Sequence, residues 1–159
     1  MAARTKNSLA LSNRQGVKKL DLRRWRRVVG AVLEQSGATA FDLGVYCVGA
    51  AEMTRLNEGF LRHRGSTDVI TFDYGEPGHP EALHGEIFIC IDEAIIQARR
   101  FRTTWQSELV RYVVHGILHL QGFDDARPRD RQRMKREEAV RLKAVASRFN
   151  LERLSPRRG

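Results

Sequence analysis

Residues 113–125 read VVHGILHLQGFDD. The stretch has the composition of an apolar helix face, yet His115 and His119 interrupt it four residues apart. Residues at that spacing stand on one face of a helix, about one turn from each other, so two imidazoles can address one ion. Gly122 comes three residues after His119, where a left-handed residue can end the helix and turn the chain back. Asp125, three further on, can then return a carboxylate to the same point, giving the pattern H-x3-H-x2-G-x2-D. A single histidine in an apolar helix is more often packed and hydrogen-bonded than ligating. The pair, the glycine and the carboxylate together reverse that reading, because a catalytic zinc usually takes three protein ligands and keeps one position open. Asp124 competes with Asp125 as third ligand, and either aspartate could instead be a turn residue bonding its own backbone.

The spacing resembles that of metzincin peptidases, which carry Glu directly after the first histidine as general base. Here that position is Gly116, so a peptidase reading lacks its proton acceptor.

Outward from this stretch, Ser107 is placed to cap the helix that runs to Leu120. DEAIIQARRF (92–101) reads as a helix capped by Asp92, and DVITFDY (68–74) and HGEIFICI (84–91) read as strands around a Gly/Pro-rich loop. FDLGVYCV (41–48) alternates, with Phe41, Leu43, Val45 and Cys47 on one face. DLRRWRRVVGAVLEQSG (21–37) has Leu22, Trp25, Val29, Val32 and Leu33 at helical spacing, with Asp21 as N-cap. AAEMTRLNEGFLRH (50–63) offers Met53, Leu56, Phe60 and Leu61 as another stripe, on which Asn57 reads as a buried hydrogen-bonding group. A last amphipathic helix covers roughly 130–148, and NLERLSPRRG reads as a frayed tail. This order predicts one α/β (α+β) domain with a small mixed sheet. We divide the chain into a basic lead-in (1–20), the domain (21–148) and a basic tail (149–159).

The length of 159 residues and 42% hydrophobic content suit one core of ordinary size. No apolar run is long enough to span a bilayer, and residues 1–16 lack the apolar block of a secretory signal. Cys47 and Cys90, each in an expected strand, fit reduced buried thiols in a cytoplasmic protein. The net charge of +9 divides unevenly: residues 1–27 hold nine Lys/Arg and one acid, residues 127–159 twelve and four, and residues 28–126 seven and fourteen. Basic ends around an acidic middle suit a polyanion partner, or simply solvated helix faces.

Three blocks in order carry a family resemblance: LNEGFLRHRGSTDVITFDY, HGEIFICIDEA and HGILHLQGFDD. They are similar to the blocks of the YbeY endoribonucleases, whose metal motif runs H-G-x-L-H-L-x-G-[YF]-D-H. The resemblance implies helices around a small mixed sheet, with the metal helix central. It implies a zinc-type ion on His115, His119 and position 125. The carboxylate oxygen of Asp125 would also admit Mn²⁺, and the ion is expected to activate its bound water or polarise a phosphoryl oxygen, with attack by the RNA 2′-hydroxyl as the other route. It further implies cleavage of single-stranded RNA, maturation of the 16S rRNA 3′ end, ribosome quality control and the small ribosomal subunit as partner. A ribosome-assembly factor with a structural metal is the alternative. Two departures stand out. The third ligand, usually His, is Asp125, and the arginine found in many members four residues after the L-N asparagine is Leu61. Arg62 or Arg64 is close enough in sequence to stand in for that arginine, steadying RNA or its phosphate, unless both are simply solvated basic residues before a turn. Glu86 and Asp124 are candidate general bases or else structural residues, while Thr67 and Asp68 either shape the groove or make a simple turn and cap.

Overall fold

The computed structural model describes residues 7–157. Four strands, β1 (Ser8–Asn13), β2 (Ala40–Val48), β3 (Val69–Asp73) and β4 (Ala82–Cys90), form one sheet in the order β1-β2-β4-β3. β1, β2 and β4 are parallel, and β3 runs antiparallel to β4 at one edge. Five helices accompany them: α1 (Leu22–Ser36), α2 (Ala50–Phe60), α3 (Ile91–Phe101), α4 (Trp105–Leu120) and α5 (Pro128–Arg148). The expected mixed sheet surrounded by helices is what forms. Among the described residues, no helix is long and apolar enough to cross a membrane.

The alternation in β2 divides the core. Leu43, Val45 and Cys47 enter the main cluster with α1 and α4, while Val48, Ile70, Phe88 and Cys90 enter a smaller one under Met53 of α2. Both cysteines are free and buried, and burial pushes the Cys47 thiol up to about 12. α4 is central. Leu109, Val110, Val113, Val114, Ile117 and Leu118 are all fully buried, as befits a helix that is apolar on most sides.

Gly116 lets α4 lie directly on β4. A Cβ there would meet Ile87 Cδ1 at 2.7 Å and Cγ2 at 2.8 Å. The position therefore faces the sheet rather than solvent, which removes any place for the peptidase glutamate. Gly116→Ala is expected to lower stability by about 1–3 kcal/mol through overpacking. Because His115 adjoins this tight packing, the same substitution should also weaken metal binding, measurable by thermal melting and metal titration of the purified variant.

Several local expectations are corrected. Residues 8–13, read as part of a loose lead-in, form an edge strand in register with residues 42–47. Six residues with only Leu9 and Leu11 packed on the core are too short and too polar to announce a strand alone; the free edge of β2 supplies the partner. Residues 1–6 of that lead-in lie outside the described residues. The tail is not frayed: Leu151–Leu154 forms a 3-10 turn, Leu151 and Leu154 are buried, and the Asp21 N–H donates to the Leu154 carbonyl at 2.8 Å. The α4 cap is Thr104, whose side chain accepts from Ser107 N–H, so Ser107 is the recipient of the cap. Asp92 lies in the first turn of α3, and its Oδ2 instead accepts from Ala50 N–H at the start of α2. In α2 only Met53 of the apolar stripe is buried; Phe60 is 69% exposed and Leu61 43%. The helix stops at Phe60, before its stripe can turn Leu61 inward.

Candidate metal centre

The end of α4 builds the site. Gly122 has φ +96°, its N–H donates to the His119 carbonyl, and the Phe123 N–H donates to the Leu118 carbonyl, both at 3.0 Å. These are the paired bonds of a Schellman motif, which requires a left-handed residue at the turn. The turn holds the Phe123 carbonyl 3.0 Å from His119 Nδ1 and swings Asp125 back over the helix end. Asp124, one residue earlier, accepts the Ala126 N–H with Oδ1 and is a local turn residue.

Each histidine is oriented through one nitrogen. His119 Nδ1 faces the Phe123 carbonyl, and His115 Nδ1 lies 3.0 Å from Glu138 Oε2 of α5. A carbonyl and a carboxylate only accept, so both Nδ1 atoms carry the proton and both Nε2 atoms of the neutral rings present lone pairs. Those two Nε2 atoms stand 3.1 Å apart, and Asp125 Oδ2 lies 3.4 Å from one and 3.7 Å from the other. With both rings neutral, three electron-pair donors converge, an arrangement that suits a cation. Ligands about 2.0–2.1 Å from a tetrahedral zinc would stand ~3.3 Å apart, close to this triangle. The three residues form a possible metal-binding group. Burial lowers the His115 pKa, but the Glu138 hydrogen bond and the charges of Glu138, Asp68 and Asp125 outweigh it and leave the pKa raised. The surroundings thus favour positive charge at this point.

The triad opens into a cleft of about 480 Å³, walled by Leu61, Thr67, Asp68 and the β3 residues Val69, Ile70, Thr71 and Asp73. A larger hollow of about 600 Å³, near Phe41, Tyr74 and His84, holds none of the convergent donors, so donor chemistry and not size assigns the site. Asn57 is the buried hydrogen-bonding group expected of it. Its Nδ2 donates to the Gly65 carbonyl and its own carbonyl accepts from Leu61 and His63 N–H, which shapes the turn bearing Leu61.

Leu61 itself lines the cleft, whereas Arg62 and Arg64 are exposed and do not. Arg62 adopts φ +56°, so the chain reverses there. Glu86 is removed as a base: it accepts from the Tyr74 hydroxyl at 2.7 Å and sits beside Tyr46, on the sheet face opposite the one that Ile87 shares with α4.

Sequence reasoning missed Glu138. The signal was present, because Met134, Glu138 and Val145 share the inward stripe of α5, and an acid in that phase of an Arg-rich helix needs a partner.

The sequence model of the family described as endoribonuclease YbeY matches residues 10–146. The protein named endoribonuclease YbeY in Chlorobium luteolum is 41% identical over 122 residues, covering 76% of this chain and 86% of that one. The protein of the same name in Salinibacter ruber is 32% identical over 143 residues, covering 86% and 91%. The solution structure of TM1509 from Thermotoga maritima superposes with a TM-score of 0.63 at 25% identity, covering 92% of this chain and 94% of that one. With most of its length matched by family model and relatives alike, the chain belongs to the endoribonuclease YbeY family.

Proposed function

We propose that this protein is a zinc-dependent endoribonuclease that cleaves single-stranded RNA in the cytoplasm and matures the 3′ end of 16S rRNA on the small ribosomal subunit. The observation that carries the reading is the convergence of His115 Nε2, His119 Nε2 and Asp125 Oδ2, with the Nδ1 of each histidine facing an acceptor. His115, His119 and Asp125 would hold the ion. Two imidazoles and one carboxylate suit zinc, and the oxygen ligand widens tolerance toward Mn²⁺. Such an ion supplies Lewis acidity at a phosphoryl oxygen and water of near-neutral pKa.

The chain's own residues do the rest. Glu138 and the Phe123 carbonyl hold the two rings in the ligating tautomer. Asp125 adds a negative charge that three histidines would not, making the site less positive. Asp125→His should therefore keep the metal and raise single-stranded RNA cleavage, whereas Asp125→Ala should lose both; equal activity in all three proteins would remove Asp125 from the site.

The phosphate contacts that drive RNA affinity come from outside the cleft, since no Lys or Arg lines it among the described residues. α5 begins three residues after Asp125 and exposes Arg129, Arg131 and Arg133 in its first two turns. These match phosphates, whose counterions are released on binding. Replacing all three by glutamine should weaken RNA binding and reduce the salt slope by about one for each phosphate no longer neutralised. Metal content should persist, and an unchanged slope in a salt titration would clear α5 of the role.

The apolar Leu61 in the cleft wall favours a second reading, a ribosome-assembly factor that binds RNA without cutting it. Folded, metal-loaded protein that leaves single-stranded RNA intact with both zinc and manganese would select it.

A further inference from the structure

The cleft has an uncommon wall, the free edge of a strand. Among the described residues, β3 pairs with β4 on one side only. The Cys90 N–H donates to the Asp68 carbonyl at 2.9 Å and the Tyr74 N–H to the His84 carbonyl at 2.8 Å, which fixes the phase of the ladder. In an antiparallel pair, hydrogen-bonded and non-hydrogen-bonded positions alternate. Residues 68, 70, 72 and 74 thus turn their main-chain groups toward β4, and Val69, Thr71 and Asp73 turn theirs away. By register those three share the face of Ile89, Ile87 and Gly85, of which Ile87 and Gly85 lie against α4, while the side chains of Ile70 and Phe72 pack with the opposite cluster.

The outward groups are not equivalent. The Val69 N–H is taken by Asp68 Oδ1 at 2.8 Å. Among the described residues nothing takes the Thr71 and Asp73 N–H groups, which remain as donors. The carbonyls of Val69, Thr71 and Asp73 remain as acceptors, beside the carboxylates of Asp68 and Asp73. Acceptors dominate this wall. It suits hydroxyl donors, and it disfavours phosphate oxygens except at the two N–H groups.

We propose that the outward main-chain edge of β3 reads the sugar backbone of an extended single RNA strand, its carbonyls accepting from ribose 2′-hydroxyls. The inference rests on the endoribonuclease reading above and adds how the cleft tells RNA from DNA. DNA lacks the 2′-hydroxyl, which is the group that distinguishes the two polymers at a given site. The edge repeats every two residues and touches no base by this means, so the selection is for sugar and not for sequence. Arg62 and Arg64, exposed on the turn that leads into β3, are available to phosphates outside the wall.

The phase of the ladder supplies the test. Proline is tolerated on an edge strand where its missing N–H would face away from the sheet. Thr71→Pro should therefore fold and keep its metal while blocking the edge, and Thr71→Val should change only the side chain. Labelled oligouridine and oligodeoxyuridine of equal length are titrated on ice and read by fluorescence anisotropy, with thermal melting and metal content as controls. Wild type and Thr71→Val should prefer RNA by about tenfold, the effect of roughly two ordinary hydrogen bonds. In Thr71→Pro that preference should fall toward unity. Single 2′-deoxy substitutions walked along the RNA, bound to wild type, give a readout that needs no variant; losses should occur at two or more neighbouring sugars. Equal wild-type affinity for RNA and DNA, or a folded Thr71→Pro protein with its preference intact, overturns the inference and leaves the endoribonuclease reading standing. A lysine-rich peptide that binds wild type but not Thr71→Pro, with RNA indifferent to the substitution, would give the edge to a protein partner and equally overturn it. Wild type that binds neither nucleic acid would defeat the endoribonuclease reading, and the inference with it.

Discussion

His119→Ala is expected to purify folded but nearly metal-free, with single-stranded RNA cleavage reduced more than about 100-fold, beyond the roughly 10- to 100-fold effects of residues that only support a ligand. The imidazole is the corner of the triangle closest to both other donors, at 3.1 Å from His115 Nε2 and 3.4 Å from Asp125 Oδ2. Removing it leaves two donors, too few for a retained zinc. The fold should suffer little. His119 is partly exposed, and its bond to the Phe123 carbonyl is one ordinary hydrogen bond, about 1 kcal/mol. The neighbouring Schellman bonds are made by main-chain groups and persist. Metal analysis, a cleavage assay and a thermal melt on one preparation separate loss of the ion from loss of structure. A His119→Ala protein that keeps one ion per chain would mean that the ion sits elsewhere.

The second large effect belongs to Glu138, which touches no ion. It is 8% exposed, bonds His115 Nδ1 at 3.0 Å, and meets Arg111 Nη1 at 3.4 Å. Glu138→Ala leaves the His115 N–H unpaired and releases the ring to rotate or change tautomer. Metal affinity should fall about 10- to 100-fold. Stability should fall by about 2 kcal/mol, below the roughly 3–5 kcal/mol of a fully buried broken pair because Arg111 is partly exposed. Glu138→Gln is the informative comparison. Its amide oxygen can still accept from Nδ1, so affinity should recover most of the loss even though the negative charge is gone. If glutamine is as damaging as alanine, charge and not orientation is what Glu138 supplies.

The sequence made the metal helix and its turn legible, because each feature there is local. A four-residue spacing, a glycine at the left-handed position and a carboxylate three residues later are all set by helix geometry, and His115, His119, Gly122 and Asp125 stand where that geometry demands. β2, β3 and β4 were legible for the same reason, through β-branched and alternating residues. What escaped depends on partners distant in the chain. β1 exists because β2 offers it an edge, and Leu151–Leu154 is ordered because Leu151 and Leu154 fill the core beside α1. The motif's position alone favours Asp125 over Asp124; in the turn Asp125 faces the histidines while Asp124 accepts the Ala126 N–H. Arg62 and Leu61 differ by one residue in sequence, yet the positive φ at Arg62 leaves only Leu61 in the cleft wall. Glu138 comes from a helix that begins beyond the motif, and no spacing rule links it to His115.

The central claim is that one divalent ion on His115, His119 and Asp125 is what cuts RNA. The most direct measurement strips wild-type protein with a chelator, confirms by circular dichroism that it remains folded, and titrates zinc back while following cleavage of a single-stranded RNA. Cleavage should vanish on stripping and return in proportion to added zinc, saturating at one ion per chain. Undiminished cleavage by the folded, metal-free protein would contradict the account.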